Sequence, residues 1–434
     1  MKILGAFMVP HPPLIVEEIG GDAIESIKKT RDSYIEIAKQ IAALKPDTII
    51  VSSPHAPLYS DYFYLPNEEK AIGSFKEFDA PKVKFDLEYD VELIKEIESI
   101  SMDNDFPCGR IPNDEPLDHG TMVPLYFVNK YLSDYKLVVV GLSGLPIEAN
   151  YEMGRIIEEA VNNLGRRVVY IASGDLSHKL QEYGPYGYVK EGPMYDKKII
   201  DIMSNARFDE LLKMDETFLD KASECGHKSF AMMGGFLSNI YVLPEFYSYE
   251  DVTGVGYGIC SYYPLDPYIE LAKATIYNYV KNKKVISVPK SLPEEMLNNK
   301  AGVFVSIHEF GELRGCIGTI YPTTSSIAEE IIENAISASS EDPRFYPITE
   351  EELDDLVINV DVLLEPEDID SEKELDPKKY GVIVTSGNKR GLLLPDLEDV
   401  NTVEEQISIA KQKAGIEDKE KVKLQRFEVV RHEY

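Results

Sequence analysis

Apolar runs alternate with longer stretches of helical periodicity along the first half of the chain. Four short runs end in small residues or proline, as buried strands do: residues 3–10, 47–53, 136–144 and 166–174. Apolar side chains recur at helical spacing over residues 22–45, where Asp22 and Glu25 have the spacing of a capping box, and again over residues 151–164. This alternation predicts an α/β domain with a mostly parallel central sheet and flanking helices.

The pattern changes over residues 261–269, where tyrosines and two prolines precede a new amphipathic helix. We place a domain boundary there, which gives domains of residues 1–263 and 264–434. The second domain has predicted strands and helices at residues 268–284, 301–307, 313–320, 326–339 and 356–364. They mix without a repeated crossover, which predicts a smaller α+β domain.

The charge balance narrows the range of partners. The chain has 76 acidic and 45 basic residues and a formal net charge of −31. Such a field repels phosphate backbones and anionic membrane surfaces, so we expect no nucleic acid and no membrane as partner. The four cysteines lie far apart without a CxxC pair, which favours a reducing, cytoplasmic location. The oligomeric state, including a homo-oligomer, is left open.

Four of the seven histidines lie at or near predicted strand ends: His11, His55, His119 and His178. Ligands of open α/β sheets bind beyond the carboxyl ends of the strands, so we expect these imidazoles to share one crevice. Prolines flank His11 in "PHPP" and His55 in "SPHAP", and a stiff backbone suits a metal ligand. For each histidine alone, a loop side chain bonded to backbone is the competing interpretation.

The segment "ASECGHKSF" offers a third metal ligand. Two imidazoles and one carboxylate are a common ligand set for Fe(II), and Glu224 would complete it. Cys225 would make a softer site that is better suited to zinc or copper. A helix N-terminus that Ser223 or Glu224 caps is the alternative interpretation of this segment.

Five motifs in order, "PHPP", "SPHAP", "LDHGT", "SGDLSH" and "ECG", resemble the LigB-type class III extradiol dioxygenase superfamily, including its Memo-like branch. The resemblance covers nearly all of the first domain. It implies that the two proline-flanked histidines bind a metal and that Glu224 or Cys225 is the third ligand. It also implies that His119 and His178 are catalytic and line the substrate and oxygen side. Memo-like members carry a cysteine near the third-ligand position.

The resemblance implies a metal-dependent oxidoreductase for a small-molecule substrate such as an aromatic diol, with Fe(II) as the favoured divalent metal and zinc or copper as alternatives. His178 would accept the diol proton because imidazole titrates near neutrality, and His119 would polarise oxygen. Asp175 would orient an imidazole or stabilise a turn. Two other hypotheses stay open: a Memo-like metal-binding or regulatory protein without dioxygenase activity, and a zinc-dependent hydrolase.

The motifs "GELRGCIGT", "AISASSEDPRFYPITEEEL", "KRGLLLP" and "KAGI" resemble the AMMECR family across the second domain, whose activity the resemblance leaves open. Cys316 lies two residues after Arg314, on the same face of a predicted strand. A neighbouring guanidinium favours a thiolate, which makes Cys316 a candidate catalytic nucleophile. A small buried cysteine is the competing interpretation, and neither His308 nor His432 gives a sign of approaching it. The polar segment "SEDPRF" either faces this strand or caps a helix end.

Overall fold

A computed structural model describes residues 2–113, 115–290, 292–397, 400–417 and 419–433. The chain divides into two compact units, Met1–Pro264 and Leu265–Tyr434. Each unit has hydrophobic clusters of its own. Among the described residues, no helix combines the length and the apolar character needed to cross a bilayer.

The first unit is built from strands and helices in alternation. Its strands are β1 (Ile3–Val9), β2 (Thr48–Ser53), β3 (Phe63–Pro66), β4 (Lys70–Phe75), β5 (Ala80–Glu88), β6 (Cys108–Ile111), β7 (Lys136–Gly141), β8 (Val168–Ser173), β9 (Val242–Glu250) and β10 (Tyr257–Pro264). Its helices are α1 (Glu17–Gly20), α2 (Lys28–Leu44), α3 (Val91–Asp103), α4 (His119–Val128), α5 (Ile147–Leu164), α6 (Glu191–Ser204), α7 (Glu216–Ala222) and α8 (His227–Phe236). Turns of 3-10 helix lie at Pro13–Ile15, Gly21–Ile27, Lys76–Phe78 and Phe208–Lys213.

The central sheet of this unit has the strand order β7-β2-β8-β1-β10-β9. Strands β7, β2, β8 and β1 are parallel, and β10 and β9 join them antiparallel. Every residue of β2 and β8 is buried, as expected for parallel strands whose two faces are both covered. The predicted α/β class with a mostly parallel sheet is therefore confirmed.

The helix predicted over residues 22–45 begins later than its periodicity indicates. Residues Gly21–Ile27 form 3-10 helix, and α2 starts at Lys28. Gly21 has a φ of 49°, which breaks the helical path before the predicted capping box. The carboxylate of Glu25 accepts a hydrogen bond from Arg31 at 2.8 Å.

Helices α5 and α8 approach each other closely because glycines lie at their contact. A Cβ on Gly154 would lie 1.9 Å from the carbonyl oxygen of Met232, and one on Gly235 would lie 1.8 Å from that of Tyr151. Only a residue without a side chain fits at these positions. Since α8 begins two residues after Cys225, this packing also fixes the loop that holds the thiol.

The second unit contains antiparallel sheets. Its strands are β11 (Val303–Glu309), β12 (Glu312–Gly318), β13 (Leu356–Leu363), β14 (Glu367–Ile369), β15 (Gly381–Ser386), β16 (Lys389–Leu393), β17 (Lys423–Phe427) and β18 (Val429–His432). Its helices are α9 (Pro267–Asn282), α10 (Glu294–Asn298), α11 (Ile327–Ser340) and α12 (Val403–Ala414), with 3-10 turns at Glu350–Asp355 and Glu372–Glu374.

One sheet of the second unit has the order β12-β11-β13-β18, and another has the order β14-β17-β15-β16. Side chains of α9 and α11 form the core over the first sheet, and side chains of α12 cover the second. The predicted α+β class is confirmed. The second sheet and α12 were not predicted from the apolar pattern.

Candidate metal centre

The loops that follow three central strands meet at one edge of the sheet. Strands β1 and β2 both pair with β8 in parallel, so their carboxyl ends lie side by side. His11 and His55 each lie two residues beyond the end of their strand, and His178 lies five residues beyond β8. His119 is the first residue of α4. The sheet therefore gathers all four histidines at the edge where α/β proteins bind ligands.

Among the described residues, two imidazoles and one thiol form a close group of possible ligands. The Nε2 atoms of His11 and His55 are 3.1 Å apart, and Sγ of Cys225 lies 3.5 Å from Nε2 of His11. The ligand atoms of all three lie within 4.8 Å of one another. Asp175 and His178 form a second such group with the same cysteine.

These separations fit ligands of a single ion. Imidazole nitrogens bind divalent metals at about 2.1 Å and thiolates at about 2.3 Å, so neighbouring ligands of one ion lie about 3.0–3.6 Å apart. The His11–His55 and His11–Cys225 separations both fall in this range. The residues present therefore suit a divalent metal.

The hydrogen bonds of His11 direct one ring nitrogen at this site. Its Nδ1 lies 2.9 Å from Oγ of Ser173, and that hydroxyl donates its proton to the carbonyl oxygen of Gly120 at 2.6 Å. A hydroxyl has only one proton, so Nδ1 of His11 must be the donor to Ser173. The Nε2 lone pair is then free for a metal, which is the arrangement that outer hydrogen bonds impose on metal-binding histidines.

The loop after β8 reinforces this arrangement. The backbone amide of His11 donates to Oδ1 of Asp175 at 2.8 Å, and the amide of Asp175 donates to Sγ of Cys225 at 3.2 Å. Asp175 therefore connects two of the three close ligands through its carboxylate and its backbone. It contacts the backbone of His11, whereas Ser173 orients the ring.

His119 and His55 border a cavity of about 470 Å³. Their ring centroids are 4.1 Å apart, and Phe78 meets His119 edge to face at 5.4 Å. Tyr89 and Met122 also line the cavity, so apolar and polar groups face the same space. A cavity of this size and lining is typical of small-molecule sites.

His178 presents an unsatisfied nitrogen. Its Nε2 is buried and has no hydrogen-bond partner among the described residues. The ring stacks on Tyr186 with centroids 5.2 Å apart. A buried polar atom without a protein partner is costly, so this nitrogen is free to bond to a water or a ligand beside the possible metal ligands.

Burial keeps the imidazoles neutral. It is the leading cause that lowers the pKa of His11 well below its ordinary value and the pKa of His119 to about 4, and the pKa values of His55 and His178 also fall mainly through burial. Neutral imidazole is the form that binds metal. Burial also raises the pKa of Asp175 to about 7, and a bound cation would oppose that shift.

Comparison with known proteins assigns both units. A family model described as the catalytic LigB subunit of aromatic ring-opening dioxygenase matches residues 5–260. The chain belongs to the LigB family. The AMMECR1 family model matches residues 269–432, so a LigB domain is fused to an AMMECR1 domain, as the motifs predicted.

Similar proteins occur in other organisms. A protein of Clostridium acetobutylicum is 42% identical over 466 residues, an alignment that covers 100% of this chain and 99% of that protein. A Thermotoga maritima protein is 53% identical over 168 residues, covering 38% of this chain and 97% of its own length. A crystal structure from Pyrococcus horikoshii is 34% identical with a TM-score of 0.36 and covers 38% of this chain and 88% of that one.

The side chains of Glu224 and Cys225 have different neighbours in the LigB domain. Oε2 of Glu224 accepts a hydrogen bond from the amide of His227 at 2.6 Å, so its carboxylate closes the first turn of α8. Burial raises its pKa to about 7, although the His227 amide opposes that rise. Among the described residues, Glu224 joins neither group of close ligand atoms. The geometry therefore brings Cys225, and not Glu224, to the histidines.

Cys316 of the AMMECR1 domain lies opposite Ser306 in the β11–β12 pair, and the Ser306 hydroxyl donates to its Sγ at 3.3 Å. The predicted pairing of this thiol with Arg314 differs from the structure. Nε of Arg314 donates to Glu352 at 2.6 Å, so that guanidinium is held by a carboxylate. The guanidinium beside Cys316 is that of Arg344, which donates to the Cys316 carbonyl oxygen at 3.2 Å.

Of the other residues considered for the second domain, some lie near Cys316 and one does not. Asp342 accepts from the amide of Cys316 at 2.9 Å and pairs with Arg344, so the "SEDPRF" segment does face the Cys316 strand. His308 lines the same cavity as Cys316, which the sequence analysis missed. His308 lies two residues after Ser306 on β11, so the two side chains share the face of the strand that is next to Cys316. This spacing is the signal that could have indicated it. His432 instead lies 2.7 Å from Asp266.

Proposed function

We propose that the LigB domain is a metal-dependent oxidoreductase that acts on a small aromatic diol. The observation that carries the proposal is the convergence of His11 Nε2, His55 Nε2 and Cys225 Sγ beside a cavity that His55 and His119 line. Membership of a family described by aromatic ring opening supports the substrate class. The unsatisfied Nε2 of His178 supports a ligand at the same place.

His11, His55 and Cys225 would hold a divalent ion, and Fe(II) is the ion we propose for the oxidoreductase. When bound, such an ion acts as a Lewis acid that acidifies a coordinated hydroxyl, and iron also exchanges electrons. Ser173 keeps the His11 ring in the tautomer that leaves Nε2 free. Asp175 holds the His11 backbone and the Cys225 loop in place.

The protein's own groups would bind the diol and move its proton. Phe78 and Met122 in the cavity lining would provide apolar contacts for an aromatic ring. His178 lies beside Cys225 and Asp175, and its Nε2 has no hydrogen-bond partner among the described residues. Burial lowers its pKa, so the neutral ring could accept the proton that the diol loses. His119 is neutral at physiological pH because burial lowers its pKa to about 4, so it can donate a hydrogen bond without carrying charge.

A second candidate function rests on the nature of the third ligand. Thiolate prefers zinc or copper, so Cys225 favours a Memo-like metal-binding or regulatory protein without dioxygenase activity. Zinc with an open position would also permit hydrolysis. These candidates share the ligand set and differ in the metal that it holds.

Anaerobic purification of the full chain with elemental analysis tests the proposal. We expect about one iron per chain, a nitric oxide adduct visible by electron paramagnetic resonance, and conversion of a catechol probe. His11→Ala and His55→Ala should each sharply lower the metal content of the purified protein. Zinc or copper at the same stoichiometry without catechol conversion would favour the second candidate, and unchanged metal content in both variants would refute the site itself.

A further inference from the structure

The AMMECR1 domain contains a cavity that the metal centre does not use. Its volume is about 590 Å³, and its walls come from β11, β12 and β13 of one sheet and β16 of the other. Lys413 of α12 lies at its border. The cavity therefore lies between the two sheets of one compact unit, where a ligand can be held from several sides.

The described lining of this cavity is rich in positive charge. Four cationic side chains line it: Arg344, Arg390, Lys413 and Arg431. Among the described lining residues, Asp361 is the one carboxylate. This local excess of positive charge contrasts with the chain as a whole, which has 76 acidic and 45 basic residues. A local positive field in an acidic protein concentrates small anions.

Two of these cations are already paired with carboxylates. Arg344 lies 2.7 Å from Asp342, and Arg431 lies 2.8 Å from Asp361. They shape the wall, and their charge is largely offset. The positive charge available to a ligand therefore comes from the other two cationic side chains.

Lys413 and Arg390 have no carboxylate partner among the described residues. Nε of Arg390 donates to the hydroxyl of Thr385 at 3.2 Å, and its guanidinium lies 5.5 Å from the ring centroid of Tyr321. Lys413 and Arg390 both line this cavity, and an ammonium and a guanidinium can together hold a carboxylate or a phosphate.

The thiol of Cys316 faces the same space. Ser306 donates to its Sγ, and Asp342 fixes its backbone amide. Partial burial lowers the pKa of Lys413, while the charge of a Cys316 thiolate would raise it and that of Arg344 lowers it further. The Lys413 ammonium, the Arg344 guanidinium and the Cys316 sulfur are thus close enough to influence one another, and Arg390 lines the same cavity.

We propose that this cavity binds a small molecule with a carboxylate or phosphate group, with Lys413 and Arg390 contacting that group and Cys316 Sγ lying against the rest of the molecule. The proposal concerns the AMMECR1 domain and does not depend on the metal centre. A carboxylate and a phosphate are both anionic groups with several acceptor oxygens, so the same cations can bind either of them.

Alkylation of Cys316 in the full chain tests the proposal. Iodoacetate and iodoacetamide react alike, since sulfur bonds to the methylene carbon and iodide leaves, but only iodoacetate is an anion. The modified Cys316 peptide is quantified by mass spectrometry, and the ratio of the two rates is compared between variants. Lys413→Gln should lower the iodoacetate-to-iodoacetamide ratio about three- to tenfold, the range expected for loss of one nearby charge at partial exposure.

A matched control separates this local effect from net charge. Lys423→Gln removes the same charge from the same domain, but the Lys423 ammonium pairs with Asp368 and does not line the cavity. The iodoacetate-to-iodoacetamide rate ratio of Lys423→Gln should equal that of the protein without a substitution. An equal ratio in all three proteins would overturn the proposal. A Cys316 that neither reagent modifies would also overturn it, because the thiol would not face the cavity.

Protection by simple anions identifies the ligand class. Inorganic phosphate and malonate are each added at constant ionic strength, with chloride as the reference, while iodoacetamide modifies Cys316. Slower modification with phosphate points to phosphate-bearing ligands, and slower modification with malonate points to carboxylates. The protection should disappear in Lys413→Gln. If neither anion slows the reaction, the cavity does not bind anions and the proposal is wrong.

Discussion

The third metal ligand can be decided by exchanging neighbouring residues one at a time. Cys225→Ser removes the thiolate but keeps an acceptor for the amide of Asp175, which now donates to Sγ at 3.2 Å. Glu224→Gln removes the carboxylate but keeps an oxygen for the amide of His227. Both variants retain the local hydrogen bonds, so a difference between them reports on metal binding and not on folding.

The expected magnitude follows from the number of ligands. Structural zinc sites with four ligands bind with about 10–16 kcal/mol, which is about 2.5–4 kcal/mol per ligand. Loss of one ligand should therefore weaken binding by about 100- to 1,000-fold. We expect Cys225→Ser to show a loss of this size. Glu224 lies outside both groups of close ligand atoms among the described residues, so Glu224→Gln should bind metal as the unmodified sequence does.

The assay is competition with a chelator of known affinity, read as metal retained per chain. Circular dichroism of both apo-variants serves as the folding control. A large loss of affinity in Glu224→Gln with normal affinity in Cys225→Ser would refute the geometric argument. It would place a carboxylate in the ligand set, and the loop before α8 would then have to rearrange when metal binds.

Three further changes test other parts of the structure. His178→Gln should leave metal content unchanged while catechol conversion falls by about 100-fold or more, and a parallel loss of metal would make His178 a ligand. Gly235→Ala should lower the unfolding free energy by about 1–3 kcal/mol in urea titration, because its Cβ would meet the Tyr151 carbonyl, whereas helix propensity alone would predict a gain. Burial raises the pKa of Asp196 to about 7, so protons are bound more tightly in the folded state and stability should fall as pH rises from about 4 to 7, by at most about 4 kcal/mol. Asp196→Asn should remove that part of the pH dependence, which urea unfolding at pH 5 and pH 7.5 measures.

Much of the LigB domain was predictable because local pattern and topology agree. Continuous apolar runs mark buried parallel strands, and parallel strands end at one edge. Residues that follow such runs, such as His11 and His55, are therefore expected at the same edge of the sheet, and the strand order β2-β8-β1 brings them together. The start of α2 was mispredicted because the apolar periodicity runs through residues 22–27, which form 3-10 helix, and the non-helical backbone of Ile27 (φ −120°, ψ 38°) separates them from α2.

Side-chain direction within a loop was beyond sequence reasoning. Glu224 and Cys225 are adjacent, and the onset of α8 decides which of them faces the histidines. The role of Ser173 was equally hidden, because it depends on a hydroxyl donating across to Gly120. In the AMMECR1 domain, spacing along one strand suggested Arg314 as the partner of Cys316, but tertiary packing brings Arg344 there instead.

The electrostatics of the metal centre favour a cation over an empty pocket. Burial disfavours charge on the imidazole of His11, and it raises the pKa values of Cys225 and Asp175, so without an ion burial works against the charged forms of these groups. Each then has polar atoms in surroundings that solvate them poorly, which costs free energy. A divalent ion binds the neutral imidazole and stabilises the thiolate and the carboxylate together, so one ligand removes all of these penalties. Metal binding should therefore stabilise the LigB domain, because an ion that binds only the folded state shifts the unfolding equilibrium.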